Sequence, residues 1–452
     1  MTSRPAGPAA PHRVVVIGGG FAGLYAVREL RKAADRVAIT LVDRRNHHLF
    51  QPLLYQVATG ALSPGEIAQP LRSIFRKQRN TTVLLGEAIG LEPQRHEVRL
   101  SDGFLVPYDT LIVATGAHHS YFGHDDWARY APGLKTIDDA TEIRRRILIA
   151  FEAAERETDP ERRREWMTFV LVGGGPTGVE LAGALGEIAN DTLRLDFRSI
   201  RPGDARIELV EAMDRILPTY PPSMSASARR QLERLGVVVR TRTRVTSITD
   251  GVVQVQPEGD AAAVPEAIHA RTVLWAAGVQ ASTFARTVAE AVGAETDRSG
   301  RIRVSPDLTV PGHPEIIVAG DAAIQPWTRG RQVPGVAQGG IQGGKHAARV
   351  VLARLDGQPV PAFRYQDRGD VAVIGRLRGV TNIGWLGPFG QQGGFIAWAL
   401  WLGIHIVYLI GFANRIVVSV RWAWSFLTRG RSTRLITGAP LIPPIEGPDA
   451  EG

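Results

Sequence analysis

The chain of 452 residues contains no cysteine, and this absence excludes more chemistry than any other feature of its composition. Without a thiol there are no disulfides, no zinc or iron–sulfur sites ligated by cysteine, and no redox reaction that runs through a Cys pair. No other set of metal ligands is evident, so we predict no metal site. Whatever the protein does, thiol chemistry is not part of it.

The sequence also lacks a secretory signal and a block of lysines, and both absences bear on where the protein is located. The first residues, MTSRPAGPAAPHR, lack the apolar run of a secretory signal, so we expect residues 1–12 to be a disordered tail and the main body to be cytoplasmic. The net charge of +8 does not come from a lysine block. It gathers partly beside apolar, tryptophan-rich sequence near the C-terminus, which favours an anionic membrane surface over nucleic acid. These basic residues are Arg415, Arg421, Arg429, Arg431 and Arg434.

The first strong motif is a glycine-rich turn between a strand and a helix. The apolar run Arg13–Ile17 predicts a strand, and Gly18, Gly20 and Gly23 follow in the spacing G-x-G-x-x-G. Such glycines allow a tight turn, the approach of a pyrophosphate and close helix packing. Asp43 lies 20 positions after Gly23, at the end of the next predicted strand, where a carboxylate accepts hydrogen bonds from a ribose.

The same strand–glycine–helix motif recurs further along the chain, after about the length of one domain. Gly173, Gly175 and Gly178 follow the strand-like run TFVLV, and Glu211 ends a later strand. Because Glu211 lies 33 positions after Gly178, we expect a longer helix or an inserted loop near residues 196–205. A carboxylate there repels a ribose 2′-phosphate, which favours NADH over NADPH, although Arg215 is near enough to soften the preference. The alternative, a solvated surface acid, stays open.

These motifs predict an α/β fold with two Rossmann-like dinucleotide-binding domains, as in glutathione reductase, plus a C-terminal helical membrane-attachment region. The predicted layout splits the first dinucleotide-binding domain in the sequence. The domains are residues 13–120 and 300–365 (the first dinucleotide-binding domain, which the resemblance described next assigns to FAD), 121–299 (NADH), 366–435 (C-terminal region with membrane-surface helices) and 436–452 (mobile tail).

Several longer segments make the chain resemble type II NADH dehydrogenase, the single-subunit NADH:quinone oxidoreductase, within the two-dinucleotide-binding flavoproteins. The resemblance covers about residues 13–435. The segments that carry it are VVVIGGGFAGLYAVREL, NHHLFQPLLYQVAT, LIVATGA, VGGGPTGVELAGAL, IIVAGDAA, AQGGIQGG and the stretch 395–428.

The resemblance implies roles for individual residues. The ADP half of FAD would be held by Gly18, Gly20, Gly23 and Asp43, together with their neighbours Gly19, Phe21, Ala22 and Arg44 and with Thr115 and Gly116. Asp321 would bind the ribityl or pyrophosphate side of FAD. NADH would be held by Gly173, Gly175, Gly178 and Glu211, with Gly278 nearby. Glu180 and Gln338 would be the catalytic residues, and Gln338 and Gln342 would contact the quinone.

The implied activity is non-proton-pumping NADH:quinone oxidoreduction, with hydride transfer from NADH to FAD and then two electrons to a membrane quinone. Glu180 is the candidate for proton delivery. Plainer interpretations stay open: Glu180 could cap or pair on its helix, and Gln338 and Gln342 could be ordinary polar residues. For His47 and His48 we favour turn residues that fill polar contacts.

Two other functions stay open: a soluble NADH-dependent reductase of a carrier such as ferredoxin or rubredoxin, and a flavin-binding redox sensor. The apolar stretch Phe395–Ala413 favours the membrane enzyme. Its aromatic residues recur at helical spacing, so we expect a stripe that lies at the lipid headgroups, followed by a basic helix near 414–428. A core helix, a homodimer interface and a spanning helix are the alternatives. The expected location is peripheral, on the cytoplasmic side of the cell membrane.

Overall fold

The computed structural model describes residues 10–260, 262–428, 430–431 and 433–438, and most of both predicted tails lies outside these residues. The chain divides into two compact units, which are considered separately below. Unit 1 comprises the described residues through Leu49, with Ala68–His118 and Val279–Asp367. Unit 2 comprises Phe50–Ile67, His119–Gly278 and the described residues from Arg368 onward.

The strands follow in chain order: β1 (His12–Ile17), β2 (Val37–Asp43), β3 (His47–Leu49), β4 (Ala68–Pro70), β5 (Thr81–Leu85), β6 (Ala88–Glu92), β7 (Glu97–Leu100), β8 (Leu105–Pro107), β9 (Thr110–Val113), β10 (Ala117–His119), β11 (Thr168–Val172), β12 (Arg206–Val210), β13 (Val237–Arg240), β14 (Thr243–Thr249), β15 (Val252–Pro257), β16 (Glu266–His269), β17 (Thr272–Trp275), β18 (Val279–Ala281), β19 (Ile302–Arg303), β20 (Thr309–Val310), β21 (His313–Val318), β22 (Ala323–Ile324), β23 (Asp370–Gly375) and β24 (Arg378–Asn382). The α-helices are α1 (Phe21–Leu30), α2 (Leu54–Ala58), α3 (Pro64–Ile67), α4 (Leu71–Phe75), α5 (Ile137–Arg156), α6 (Pro160–Trp166), α7 (Pro176–Glu187), α8 (Pro222–Glu233), α9 (Thr283–Val292), α10 (Ala337–Leu355), α11 (Phe395–Tyr408) and α12 (Phe412–Thr428).

Unit 1 is built on a six-stranded sheet in the order β20-β21-β9-β1-β2-β5. All pairs in it are parallel except β20 with β21, and β1 lies at the centre with β2 on one side and β9 on the other. The order of the five parallel strands is that of a doubly wound nucleotide-binding sheet, in which ligands bind where the strand order reverses. Helix α10 packs closely on α1 because Gly344 has no side chain. A Cβ at that position would lie 2.0 Å from the Ala22 carbonyl oxygen.

Unit 2 repeats the plan on a smaller scale. Its parallel sheet has the order β13-β12-β11-β17, so the strand before the second glycine motif again lies inside the sheet. The hairpin of β23 and β24 packs on α7, where Gly183 would place a Cβ only 1.8 Å from the Ile374 carbonyl oxygen. The segment 50–67, predicted within the first domain, packs in unit 2 because its buried helix α2 contacts α5 and α7. The α/β fold class and the C-terminal helices are as predicted.

The first of the two C-terminal helices is shorter than the apolar stretch that predicted it. Helix α11 ends at Tyr408, not at Ala413, and Arg415 donates hydrogen bonds to the carbonyl oxygens of Leu409 and Val407 at 2.7 and 2.9 Å, which caps its end. Among the described residues, no helix has both the length and the apolar character that crossing a bilayer requires.

Candidate functional site

The glycine turn of unit 1 has the shape that a pyrophosphate requires. Gly18 has φ +105°, and a Cβ on it would lie 2.4 Å from the Ala114 carbonyl oxygen. A Cβ on Gly23 would lie 1.8 Å from the Gly18 carbonyl oxygen, whereas a Cβ on Gly20 would meet nothing within 4 Å. Helix α1 starts there without a side-chain cap, so its first N–H groups and its positive dipole end are directed to the space beside Gly20. The turn therefore fits the phosphates of a dinucleotide.

Asp43 and His48 hold this turn in place. The Asp43 carboxylate accepts hydrogen bonds from the Gly19 N–H at 2.5 Å and from the Arg45 N–H at 2.6 Å. The buried imidazole of His48 bonds the Gly19 carbonyl oxygen through Nδ1 at 2.9 Å, and its ring packs edge-on against Phe21. Burial lowers the pKa of His48 to about 4, so the ring is neutral and donates the Nδ1 proton. His48 thus fills a polar contact, as predicted, but from strand β3 and not from a turn.

The turn of unit 2 is built in the same way. Gly173 has φ +107°, a Cβ on Gly178 would lie 1.9 Å from the Gly173 carbonyl oxygen, and Gly175 faces open space. The Glu211 carboxylate accepts hydrogen bonds from the Gly174 N–H at 2.6 Å and from the Met213 N–H at 2.7 Å. The longer spacing is absorbed by a π-turn at Ile188–Thr192 and by the irregular chain that follows, which agrees with the predicted insertion. Glu211 therefore occupies the position that Asp43 occupies in unit 1.

Other predicted residues of unit 1 lie on the loops after its strands. Asp321 lies in the tight turn Gly320–Ala322 after β21, and a Cβ on Gly335 would come within 3.6 Å of its carboxylate. Thr115 accepts a hydrogen bond from the Ser282 hydroxyl at 2.5 Å. The adjacent Gly116 has φ +66° and faces open space. The Arg44 guanidinium is exposed and lies 3.8 Å from Glu87, so its only described ion pair is loose.

The two glutamines of α10 differ. Gln342 forms two hydrogen bonds of 2.9 Å with the backbone of Gln366, which occupies both ends of its amide and ties the following chain to the helix. This contact supports the plain structural interpretation of Gln342. Gln338 is half-buried in the first turn of the helix. In unit 2, Gly278 has φ +68°, and a Cβ on it would meet the Phe122 ring at 2.6 Å.

A pocket of about 850 Å³, including its open mouth, lies entirely within unit 2, and Glu180 lines it. Glu180 is on α7, two residues after Gly178, so the second glycine motif fixes its position. The opposite walls are aromatic and come from the C-terminal helices and from α2. The main lining side chains besides Glu180 are Tyr55, Trp398, Trp401, Trp422, Phe426 and the ion pair of Glu187 with Arg431.

This pocket changes the acidity of its polar groups. Burial raises the pKa of the Glu180 carboxyl to about 8, and the Val373 N–H, 3.4 Å from Oε1, and the Trp401 side chain offset only part of that effect. The same burial, with the nearby Glu180 charge, raises the pKa of the Tyr55 hydroxyl. Glu180 stays partly accessible from the pocket. It is therefore a neutral acid at pH 7 in an apolar, open pocket, which is the combination that a proton donor needs.

Sequence reasoning singled out Glu180 but missed its surroundings. Arg431 is only 8% exposed and donates hydrogen bonds to Glu187 at 2.9 Å and to the Thr59 hydroxyl at 2.8 Å. Trp422 donates to the Gln56 side chain at 2.8 Å, and Arg421 pairs with Glu66 at 2.8 Å. These contacts join residues more than 240 positions apart, so no local motif could reveal them. The aromatic character of residues 395–428 was the one available signal.

The prediction that the aromatic stripe of α11 faces lipid is wrong. Trp401 and His405 are 2% and 8% exposed and pack against Tyr55 and Phe50. The opposite face of the helix is the exposed one, and it is mainly aliphatic. Together with the turn Gly384–Gly390 and one face of α12, it forms an exposed apolar surface, which consists of Trp385, Phe389, Phe395, Ile396, Leu400, Val407, Ile416, Val417, Val420, Trp424 and Leu427. Helical periodicity predicts two faces but cannot tell which of them meets the protein.

Comparison with known proteins agrees with this architecture. The family model described as pyridine nucleotide-disulphide oxidoreductase matches residues 12–344. The chain is 45% identical to the type II NADH:quinone oxidoreductase NdhA of Mycobacterium tuberculosis over 445 residues, which covers 96% of this chain and 92% of that relative. It is also 45% identical to the type II NADH:quinone oxidoreductase Ndh of the same organism over 438 residues, or 95% and 91% of the two chains.

Among solved structures, NDH2 from Plasmodium falciparum in complex with NADH has a TM-score of 0.83 at 18% identity, over 92% of this chain and 98% of that one. The match shows a shared fold. The chain belongs to the pyridine nucleotide-disulphide oxidoreductases and, within them, to the type II NADH:quinone oxidoreductase family. Because it has no cysteine, it is a member that cannot use the disulphide chemistry in the wider family's name.

Proposed function

We propose that this protein is an NADH:quinone oxidoreductase that holds FAD in unit 1, binds NADH in unit 2 and reduces a membrane quinone. The observation that carries the proposal is the aromatic pocket of unit 2 with its neutral carboxylic acid, Glu180, two residues beyond a dinucleotide-binding turn. The membership of the family supports the same activity.

The residues of unit 1 fit FAD. The turn Gly18–Gly23 and the start of α1 would hold the pyrophosphate, Asp43 the ribose, and Asp321 the ribityl or pyrophosphate side. Gly20 and Gly116, both beside open space, leave room for a ligand against the backbone. When bound, FAD supplies a ring that accepts a hydride from NADH and passes two electrons to a quinone.

Unit 2 would bind NADH through the turn Gly173–Gly178 and the start of α7. Glu211 would have two roles, one in holding the turn and one in selecting NADH over NADPH. It holds the Gly174 and Met213 N–H groups, and it places a negative charge where the 2′-phosphate of NADPH would lie. We therefore expect NADH to be preferred.

Glu180 would deliver a proton to the quinone. The Val373 N–H, 3.4 Å from Oε1, and the Trp401 side chain contact the carboxyl, and the acid keeps its proton at pH 7 because burial raises its pKa to about 8. The tryptophan walls of the pocket suit a flat, apolar ring, and burial among them keeps the acid protonated. The segment after α12 forms part of the pocket wall, and the Glu187–Arg431 ion pair would hold this segment against α7.

The exposed apolar surface favours a membrane quinone over a soluble electron carrier as the acceptor. Its aliphatic and aromatic side chains lie on α11, on α12 and in the turn Gly384–Gly390 of unit 2, and the sequence from 366 to 435 has eight arginines against two aspartates. An apolar surface next to positive charge suits peripheral attachment to anionic lipid.

The direct test is steady-state oxidation of NADH and of NADPH by the purified flavin-loaded protein with a short-chain quinone. We expect rapid turnover with NADH, slower turnover with NADPH and almost none without quinone. Turnover only with a ferredoxin or rubredoxin would contradict the proposal, and binding of NADH without turnover would indicate a sensor.

A further inference from the structure

A second and smaller cavity in unit 2 holds a buried cation. It lies between the end of α2, one face of α5, the π-turn Ile188–Thr192 and the segment after α12. Its volume, about 230 Å³ with its mouth, is small beside the 850 Å³ of the pocket that Glu180 lines, measured in the same way. Its lining includes Thr59, Gly60, Arg144, Ile147, Ile188 and Arg434. This cavity has no part in the activity proposed above.

The cation is Arg144 on α5, which is 5% exposed. Its Nε and Nη1 atoms are buried, and within the described part of the chain neither has a hydrogen-bond partner. Burial alone lowers the pKa of this guanidinium, since no acidic side chain in the described residues offsets the effect. A buried charge without a counter-charge destabilises the folded chain, and an arginine cannot avoid that penalty by losing its proton.

The neighbouring basic groups already have partners. Arg434, the other cation at the cavity, pairs with the Asp196 carboxylate and faces the Thr192 carbonyl oxygen at 3.4 Å. Arg145, next to Arg144 on α5, forms an ion pair of 2.7 Å with Glu142. Among the described residues, the cavity therefore has one positive charge that no carboxylate balances, and it belongs to Arg144.

We propose that this cavity binds a small monovalent inorganic anion, such as chloride, on the Arg144 guanidinium. One negative charge balances the site, and the small volume favours a halide over an organic acid or a nucleotide phosphate. The anion would lie between α2, α5 and Arg434, and Thr59 in its wall accepts a hydrogen bond from Arg431 at 2.8 Å. Occupancy would therefore stabilise the chain after α12 where it packs against the core of unit 2.

The first test is a crystal of the full flavin-loaded protein soaked in bromide. We expect an anomalous peak within hydrogen-bonding distance of Arg144 Nε or Nη1. A carboxylate of the chain itself in that place, or an unoccupied cavity at saturating bromide, would overturn the proposal.

The second test is thermal unfolding of the holoprotein at constant ionic strength in chloride, bromide, phosphate or gluconate. We expect chloride and bromide to raise the unfolding midpoint by about 2 °C or more over gluconate, as a ligand of the native state does. Arg144→Met should abolish that difference without lowering the midpoint in gluconate. Arg156→Met, at an exposed position of the same helix, should retain it. Equal midpoints in all four salts would contradict the site, and stabilisation by phosphate alone would contradict a monovalent ligand.

Discussion

The two glycine turns of the molecule share one design, and the residues around them differ. In both, a positive φ at the first glycine and a crowded third glycine shape the turn, and an acid at the end of the next strand holds the N–H of the second glycine. Two residues after the third glycine, however, unit 1 has Tyr25 and unit 2 has Glu180. Under the proposed function, the turn provides binding in both units, while the adjoining helix position determines which unit supplies a proton.

The largest effects should come from filling the third glycine of each turn. Gly23→Ala forces a Cβ to 1.8 Å from the Gly18 carbonyl oxygen, so we expect protein that purifies without flavin. Gly178→Ala creates the same clash in unit 2, and there we expect retained flavin with NADH affinity lowered about 100-fold, equivalent to about 3 kcal/mol of overpacking. The visible absorbance of the purified protein measures its flavin content, and titration with NADH measures the affinity.

Gly65→Ala is the matched control, because a Cβ there meets nothing within 4 Å. If Gly23→Ala keeps its flavin, or Gly178→Ala binds NADH normally, the assignment of one ligand to each turn is incorrect.

The next largest effect should distinguish Glu180 from Tyr25, which occupy equivalent helix positions after the two glycine turns. Glu180→Gln should lower kcat about 100-fold, the usual contribution of a positioned acid. Under the proposed function the protonated form of Glu180 is the active one, so the kcat of the wild type should fall as pH rises through about 8, whereas the kcat of the variant should show no such fall. Tyr25→Phe, at the equivalent position of unit 1, should keep the wild-type profile. If kcat of Glu180→Gln still falls near pH 8, the titrating group is another residue.

A smaller effect should distinguish the two acids that hold the turns. Glu211→Gln removes the charge expected to repel a 2′-phosphate, so the ratio of kcat/KM for NADH over NADPH should fall about tenfold, or about 1.4 kcal/mol. Asp204→Asn, at an exposed acid of unit 2, should leave the ratio unchanged. An unchanged ratio in Glu211→Gln would show that Glu211 acts on the turn alone.

The smallest effect concerns the apolar surface that unit 2 carries. Val407→Gln, on the exposed face of α11, should weaken flotation with anionic vesicles about fivefold, or roughly 1 kcal/mol of apolar transfer. Oxidation of NADH by a soluble quinone should not change. Val264→Gln, an exposed apolar residue elsewhere in unit 2, should float like the wild type, and equal flotation of the two variants would exclude this face from lipid contact.

The fold and the two turns could be predicted because their signals are local. A strand, three glycines, a helix and an acid lie within a few dozen residues, and even the longer spacing to Glu211 indicated an insertion. The pocket could not be predicted, because Tyr55, Glu187 and Arg431 meet only after folding. The face of α11 was predicted wrongly because tryptophan suits both a lipid interface and an aromatic core. His48 lay in a segment that the resemblance had marked, but its bond to Gly19 needed coordinates.

The central claim is that one polypeptide without thiols takes a hydride from NADH onto its own flavin and passes the electrons to a quinone. The most direct test is anaerobic mixing of the purified yellow protein with NADH, followed by a short-chain quinone. We expect the visible flavin absorbance to disappear with NADH, to disappear far more slowly with NADPH, and to return on addition of quinone. A colourless protein that takes up no flavin, or a flavin that NADH leaves unchanged, would contradict it.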